Sequence, residues 1–215
     1  MEFIIGTTNK GKIREIASIL SPLGFEMNTM HADVKETGKT IEDNAILKAL
    51  GYSMLSDDKV VIVEDSGLVV PCLNGLPGVY SARFHSLSLD KDLKVTNVPE
   101  EDFTLDKTTH DSLNNDRLIN LIKLLPYEKR AAYLEVCFVI AHKGKVLFKT
   151  SSRCNGYIIT EPKGTNGFGY DPIFVGSDTY GKTFAELDSA RKNLKSHRKK
   201  ALRELGLFIS NNFKN

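Results

Sequence analysis

The sequence predicts an α/β protein, and three observations carry that prediction. Phe3, Ile4 and Ile5 form a short apolar run that ends at Gly6, followed by a polar turn and a helix-periodic stretch. A second apolar run, Lys59 to Val63, is continuous enough to be buried on both faces, as in an internal strand. A third, Tyr133 to His142, is rich in β-branched residues, and only Lys143-Gly144-Lys145 separates it from VLFKTSS, the pattern of a hairpin.

The remaining elements follow in chain order. Ile13, Ile16, Ala17 and Leu20 recur at helical spacing until Ser21 and Pro22 end the helix. Thr40 is an N-cap with Asp43 three residues on, a capping box in which Asp replaces the usual Glu or Gln, and the helix runs on through NAILKALGYSML. The VVIVEDSG run reads as a strand that ends in adjacent carboxylates at the start of a loop. Turns are expected at Asn74-Gly75 and Pro77-Gly78. Residues 85–110 are polar and poorly periodic and read as a long loop or insertion that contributes nothing to the core, although Leu87, Leu89, Leu93 and Val95 could dock piecemeal. A helix resumes at Asp111 with Leu118, Leu121, Ile122 and Leu125 on one side. A further strand is expected near residues 155–160, and the tail from Ser189 to Phe213 reads as helical, with Leu202, Leu205, Phe208 and Ile209 packing.

Bulk properties narrow the class. With 215 residues the chain suffices for one large domain or two lobes sharing a core, and 41% hydrophobic with 26% charged residues is ordinary for a globular protein. A net charge of +2, with no basic stripe interleaved with aromatics, argues against a nucleic-acid partner. No stretch approaches a membrane span, and the first apolar residues are too few for a signal peptide, so the expected location is cytoplasmic. Cys72, Cys137 and Cys154 lack metal-ligand spacing and read as reduced thiols.

Four segments can carry chemistry. Thr7-Thr8-Asn9-Lys10-Gly11-Lys12 joins a strand to a helix N-terminus, where amides, hydroxyls and two lysines favour an anion; it lacks the glycine spacing of a P-loop. Glu64 and Asp65 are costly to bury unless paired or bound to a cation, and suit Mg2+ together with activation of a water. Glu36, Glu42 and Asp43 are further candidate ligands. In GTNGFGYDPIF the flat faces of Phe168 and Tyr170 suit a flat ligand, with Gly169 and Asp171 beside them. KNLKSHR crowds the donors Lys192, Ser196, His197 and Arg198 into one stretch.

These segments, with ETGKTIEDNAILKA, VEDSGL, GLPGVYSARF, KTFAEL and SHRKKAL, stand in the order of the inosine triphosphate pyrophosphatase family, whose members hydrolyse noncanonical purine nucleoside triphosphates. The resemblance spans nearly the whole chain except residues 85–110. It implies an elongated mixed α/β fold of two lobes with a central substrate cleft, a homodimer, Mg2+ as cofactor, and conversion of ITP, dITP and XTP to the monophosphate and pyrophosphate. Residues 85–110, directly after GLPGVYSARF, are then expected to decorate the dimer interface or the rim of the cleft. Thr7, Thr8, Asn9 and Lys12 match the family's phosphate turn, Asp65 its catalytic acid and metal ligand, and Ser66 the adjacent substrate contact. Phe168, Gly169, Tyr170 and Asp171 match the base-contacting loop, and Lys192, His197 and Arg198 the C-terminal substrate contacts, with Arg198 suited to an acceptor such as a purine 6-oxo group. The chain departs from the family at Lys35, where an acid is common; Glu36 stands one step later, leaving the second metal ligand open. A pyrophosphatase of the Maf type acting on other nucleotides, and a nucleotide-binding protein without catalysis, are the alternatives. The intact VEDSGL disfavours the second.

Overall fold

The computed structural model describes residues 2–7, 9–99 and 104–213; the side chains of Ile19 and Asn193 are also outside the description. The strands are β1 (Glu2–Ile5), β2 (Glu26–Thr29), β3 (Val60–Val69), β4 (Ser88–Leu89), β5 (Val95–Asn97), β6 (Ala131–His142), β7 (Lys145–Ile158) and β8 (Phe174–Gly176). The α-helices are α1 (Lys10–Leu20), α2 (Ile41–Leu55), α3 (Lys107–Ile122), α4 (Ser189–Lys195) and α5 (His197–Asn212). Among the described residues one sheet has the order β2-β1-β3-β6-β7-β8, and β4 pairs with β5 apart from it. β1 runs parallel to both β2 and β3, whereas β7 and β8 are antiparallel, so the expected mixed α/β class is borne out.

Two compact units divide the chain. The first comprises Met1–Ser66, Glu135–Arg153 and Ser196–Asn215, the second Gly67–Leu134 and Cys154–Lys195. In the first, Phe3, Ile5, Ile62, Val136, Phe138 and Ile140 from strands pack with Ile16 and Leu20 of α1 and Leu202, Leu205 and Ile209 of α5. In the second, Leu68, Phe84, Leu118, Ile122, Ile158 and Phe174 form the centre of another core. No helix among the described residues is long and apolar enough to cross a membrane.

Local chemistry explains the elements. The Asn9 side chain accepts from Gly11 N–H at 2.9 Å and Lys12 N–H at 3.4 Å and so starts α1. The capping box of α2 is complete: Asp43 N–H donates to the Thr40 hydroxyl at 3.0 Å and Thr40 N–H to the Asp43 carboxylate at 3.1 Å. The β6–β7 turn places Lys143 and Gly144 at φ 48° and 69°, the left-handed pair that a two-residue hairpin favours.

Several expectations need correction. β3 does not end at the acids but continues to Val69, because Leu68 is an apolar residue with its own core to fill. The C-terminal tail is two helices rather than one, separated at Ser196. The polar strand β2, Glu-Met-Asn-Thr, has no apolar alternation to announce it; it pairs with β1 at the edge of the sheet, and Met27 packs against the first core.

The segment 85–110 is not merely decoration. Leu87 is 3% exposed within the second core, and Leu89, Leu93 and Val95 pack against it. Residues 107–110 already belong to α3, and His85 Nε2 lies 2.8 Å from His110 Nδ1, joining the two ends of the segment. Residues 100–103 lie outside the described residues. Leu87→Ala should therefore destabilise the protein by about 3 kcal/mol. A cooperative thermal melt unchanged from wild type would return Leu87 to the surface.

Candidate active site

In the first unit β3 presents three polar residues in succession at the end of its apolar run. Successive side chains alternate between faces. Glu64 and Ser66 share one face, where both meet Arg198: its Nε lies 3.1 Å from Glu64 Oε2, and its Nη2 donates to the Ser66 hydroxyl at 2.7 Å. Glu15 of α1 stands 3.3 Å from the same Nε. Lys12 pairs with the other Glu64 oxygen. Glu64 is 2% exposed. Burial alone would raise its carboxyl, but Arg198 and Lys12 more than offset that and hold it at about 2. Both its oxygens are thus engaged by cations, so the residue read as metal support organises Arg198 and Lys12 instead.

Asp65 points to the opposite face and meets different company. Its carboxyl is raised to about 6, first by burial and further by the charges of Glu36 and Glu64, against the opposing pull of Lys48 and Lys12. Lys48 Nζ lies 2.5 Å from Glu36. Burial would lower Lys48, yet Asp65 and Glu36 hold it above its ordinary value. Glu36 reaches this place on a loop fastened to α2, where Gly38 N–H donates to the Asn44 carboxamide at 2.7 Å. Glu42 and Asp43 are not part of the group: Glu42 pairs with Lys149, and Asp43 is spent on the cap.

At the phosphate turn the Thr7 hydroxyl accepts from Asn9 N–H at 3.2 Å. The Gly11 and Lys12 amides expected to receive an anion are already taken by Asn9, which leaves the Lys12 ammonium as the stronger anion contact. Lys10 is exposed, and Thr8 lies outside the described residues. His197 is the first residue of α5 and is 4% exposed. The basic run KNLKSHR is therefore no solvated helix start, since Lys192, Ser196, His197 and Arg198 are all buried.

The second unit holds the aromatic loop. Asp171 folds back on it, accepting from Phe168 N–H at 2.8 Å and from Lys192 Nζ at 2.6 Å. The Asp171 carboxylate fills the space a side chain at Gly167 would need, and Gly167 has φ 81°, so only glycine fits there. Phe168 is partly exposed, with Lys192 Nζ 4.5 Å and Lys107 Nζ 5.4 Å from its ring centroid. Tyr170 departs from expectation. Its ring is 6% exposed in the second core, and its hydroxyl donates to the Ser81 carbonyl at 2.9 Å. It anchors the loop, so a flat ligand has Phe168 alone of the two rings.

The structure thus gathers Asn9, Lys12, Glu36, Glu64, Asp65, Ser66 and Arg198 in the first unit, and Phe168, Gly169, Tyr170, Asp171 and Lys192 in the second. Sequence reasoning missed Lys48 and Glu15. Lys48 was findable: it is the one cation inside AILKALGYSML, one helical turn after buried Asn44.

No set of three or more His, Cys, Asp or Glu among the described residues is disposed to hold a metal ion. The pair Asp65 and Glu36 still fits Mg2+, which takes one or two carboxylates and completes its shell with water and phosphate oxygens. Burial raises the Asp65 carboxyl, with Glu36 and Glu64 adding to it, and a buried carboxyl of this kind welcomes more positive charge.

Comparison with known proteins bears out the resemblance. The Ham1 family model matches residues 3–208. The chain is 36% identical over 209 residues to a dITP/XTP pyrophosphatase of Desulforamulus reducens, covering 95% of this chain and 93% of that one. It is 38% identical over 213 residues to a dITP/XTP pyrophosphatase of Bacillus cereus, covering 95% and 92%. Among solved structures, the Staphylococcus aureus Ham1 protein superposes with a TM-score of 0.74 at 31% identity, covering 98% of this chain and 99% of that one. A HAM1 protein from Coxiella burnetii gives 0.76 at 27% identity, with the same coverage.

Proposed function

Because the chain belongs to the Ham1 family, we infer that it is a nucleoside triphosphate pyrophosphatase that hydrolyses the noncanonical purine nucleotides dITP, ITP and XTP to the monophosphate and pyrophosphate. The observation that carries this reading is the cluster at the acids of β3, where Glu64 holds Lys12 and Arg198 on one face and Lys48 pairs with Glu36, while burial raises the Asp65 carboxyl to about 6 among these charges. A base works best when its proton affinity lies near the working pH.

A water attacks the α-phosphorus in line while the bond from that phosphorus to the α–β bridging oxygen breaks. Asp65 orients the water and takes its proton. The departing pyrophosphate carries new negative charge, which Lys12 and Lys48 stabilise where they stand. Glu64 keeps Lys12 and Arg198 in place without reacting, since at about 2 it stays ionised. Asp65 and Glu36 would hold Mg2+, which supplies neutralisation of the crowded triphosphate. In the second unit Lys107 and Lys192 stand over the Phe168 ring, the aromatic that the resemblance assigns to a base. Selection against ATP rests on the 6-position, an acceptor in hypoxanthine and xanthine and a donor in adenine. Arg198, fixed by Glu64, Glu15 and Ser66, is the donor proposed for it. A guanine 2-amino group buried without an acceptor would cost roughly 1–3 kcal/mol, enough to slow GTP.

The test is pyrophosphate release from ITP, dITP, XTP, GTP, ATP and dTTP with Mg2+. ITP, dITP and XTP should be cleaved at least about tenfold faster than ATP and GTP, the ratio that 1.4 kcal/mol provides. Release of orthophosphate, or a preference for dTTP, would overturn the reading, and the latter would favour the Maf type.

A further inference from the structure

We propose that one face of α3, formed by Lys107, Asp111 and Asn115, is a positioning element that sets the base-contacting loop and thereby the affinity for the purine. The proposal rests on the function inferred above. None of the three residues stood out in the sequence, and none bears on the phosphate chemistry.

The three residues are spaced four apart and so line one side of the helix. Asp111 Oδ2 accepts from Gly169 N–H at 2.7 Å. One turn on, Asn115 Nδ2 donates to the Gly169 carbonyl at 3.1 Å. A single helix therefore holds both polar backbone groups of a single glycine. That glycine is the residue between Phe168 and Tyr170, and its φ of 63° is the left-handed conformation in which the loop turns. One turn back, Lys107 Nζ donates to both Asp111 oxygens, at 2.9 and 2.7 Å, and also faces the Phe168 ring.

Two details separate this from ordinary loop packing. The Gly169 amide is given a carboxylate, a stronger acceptor than the carbonyl a turn would normally use. Asn115 is 7% exposed, yet its Oδ1 has no hydrogen-bond partner among the described residues. Rotating the amide would set Oδ1 against the Gly169 carbonyl, another acceptor, and would lose the bond that Nδ2 makes. A buried polar atom left unsatisfied is a cost to stability, so the side chain is retained for what its nitrogen holds.

Asp171 pins the loop from within through Phe168 N–H, and Tyr170 anchors it in the core. The α3 face adds a restraint on the peptide that follows Phe168. Freed of it, the ring has more orientations to lose when a base stacks on it. Base affinity should weaken while the chemical step, which depends on Asp65 and its neighbours, proceeds at its own rate.

The experiment uses the full chain. Asp111→Ala should raise KM for ITP and XTP about tenfold, the low end for a hydrogen bond to a charged group, and Asn115→Ala, which loses a neutral bond, about fivefold, each with kcat within about twofold. Asp111→Asn keeps an acceptor for Gly169 N–H and should restore most of the affinity. The double alanine variant should raise KM by less than the product of the singles, because both act on one glycine. Independently of any substrate, hydrogen exchange at the Gly169 amide should quicken in Asp111→Ala and remain slow in Asp111→Asn. Unchanged exchange at Gly169, or a fall in kcat at unchanged KM, would overturn the proposal. A wild-type protein that releases no pyrophosphate from ITP sinks the functional reading instead, while the exchange comparison still decides whether α3 holds the loop.

Discussion

Replacing Asp65 by Asn is expected to lower turnover of ITP by at least about 10²-fold, the lower end of what a lost general base costs. The variant keeps the size and shape of the side chain, so affinity should fall much less than turnover. The wild-type carboxyl at about 6 predicts a second readout. Asp65 must be ionised to accept a proton, and kcat/KM reports the free enzyme, so kcat/KM should decline about tenfold per pH unit below about 6. Raising Mg2+ should move that limb to lower pH, because a bound cation favours the carboxylate. Near-normal turnover of Asp65→Asn at saturating Mg2+ and ITP, or the same acidic limb persisting in it, takes Asp65 out of the catalytic role.

Glu64→Gln should destabilise the fold by about 3 kcal/mol, the low end for breaking a buried ion pair. The carboxylate is shared by Arg198, 6% exposed, and by Lys12. An amide leaves both without their anion. The cost stays near the low end because Glu15 remains 3.3 Å from Arg198 and Lys12 can turn toward water, its side chain being 18% exposed. For a chain of this size the expected fall in Tm is about 6–12 °C. The sign of the pH dependence follows from the direction of the shift. The carboxyl lies at about 2 in the folded protein against an ordinary 4.5, so its contribution is complete above 4.5 and is lost as pH falls toward 2. The Tm difference between wild type and variant should be full at neutral pH and close in acid. A difference that is constant across that range would mean that shape, not charge, holds the cluster.

What could be read from the sequence was whatever depends on neighbours in the chain. The Thr40–Asp43 cap, the Lys143–Gly144 turn and the helix of Ile13, Ile16 and Leu20 are local devices, and each stands where the pattern put it. The candidate acids and the GFGYD loop were legible as residue types in a suggestive order. What could not be read was partnership over distance. Glu64 and Asp65 are adjacent and alike, and only Arg198, far along the chain, and Lys48, on another helix, tell them apart. Tyr170 and Phe168 looked like two faces for one ligand until the Ser81 carbonyl claimed the tyrosine hydroxyl. Leu87 lay in a stretch too irregular to show a period, yet one buried leucine suffices to tie that stretch to the core. The doublet Asn114–Asn115 was the overlooked signal. Two carboxamides in the middle of a helix with a buried side have to bond something, and they bond the His85 amide and the Gly169 carbonyl.

The alternation of β3 has a consequence for how catalytic identity is stored. Which of the two acids is the silent keystone and which is the base is decided by the face each occupies. The face is decided by the alignment of β3 against β1, through the apolar pairs Phe3–Val60, Ile4–Val61 and Ile5–Ile62. A slip of one residue would turn Asp65 to the face of the cations and Glu64 to the face opposite, changing the company of both acids without changing a single atom of the sequence. The seam of branched side chains inside the sheet thus works as an address, and the carboxylate's role is written in its position along that seam and not in its chemistry.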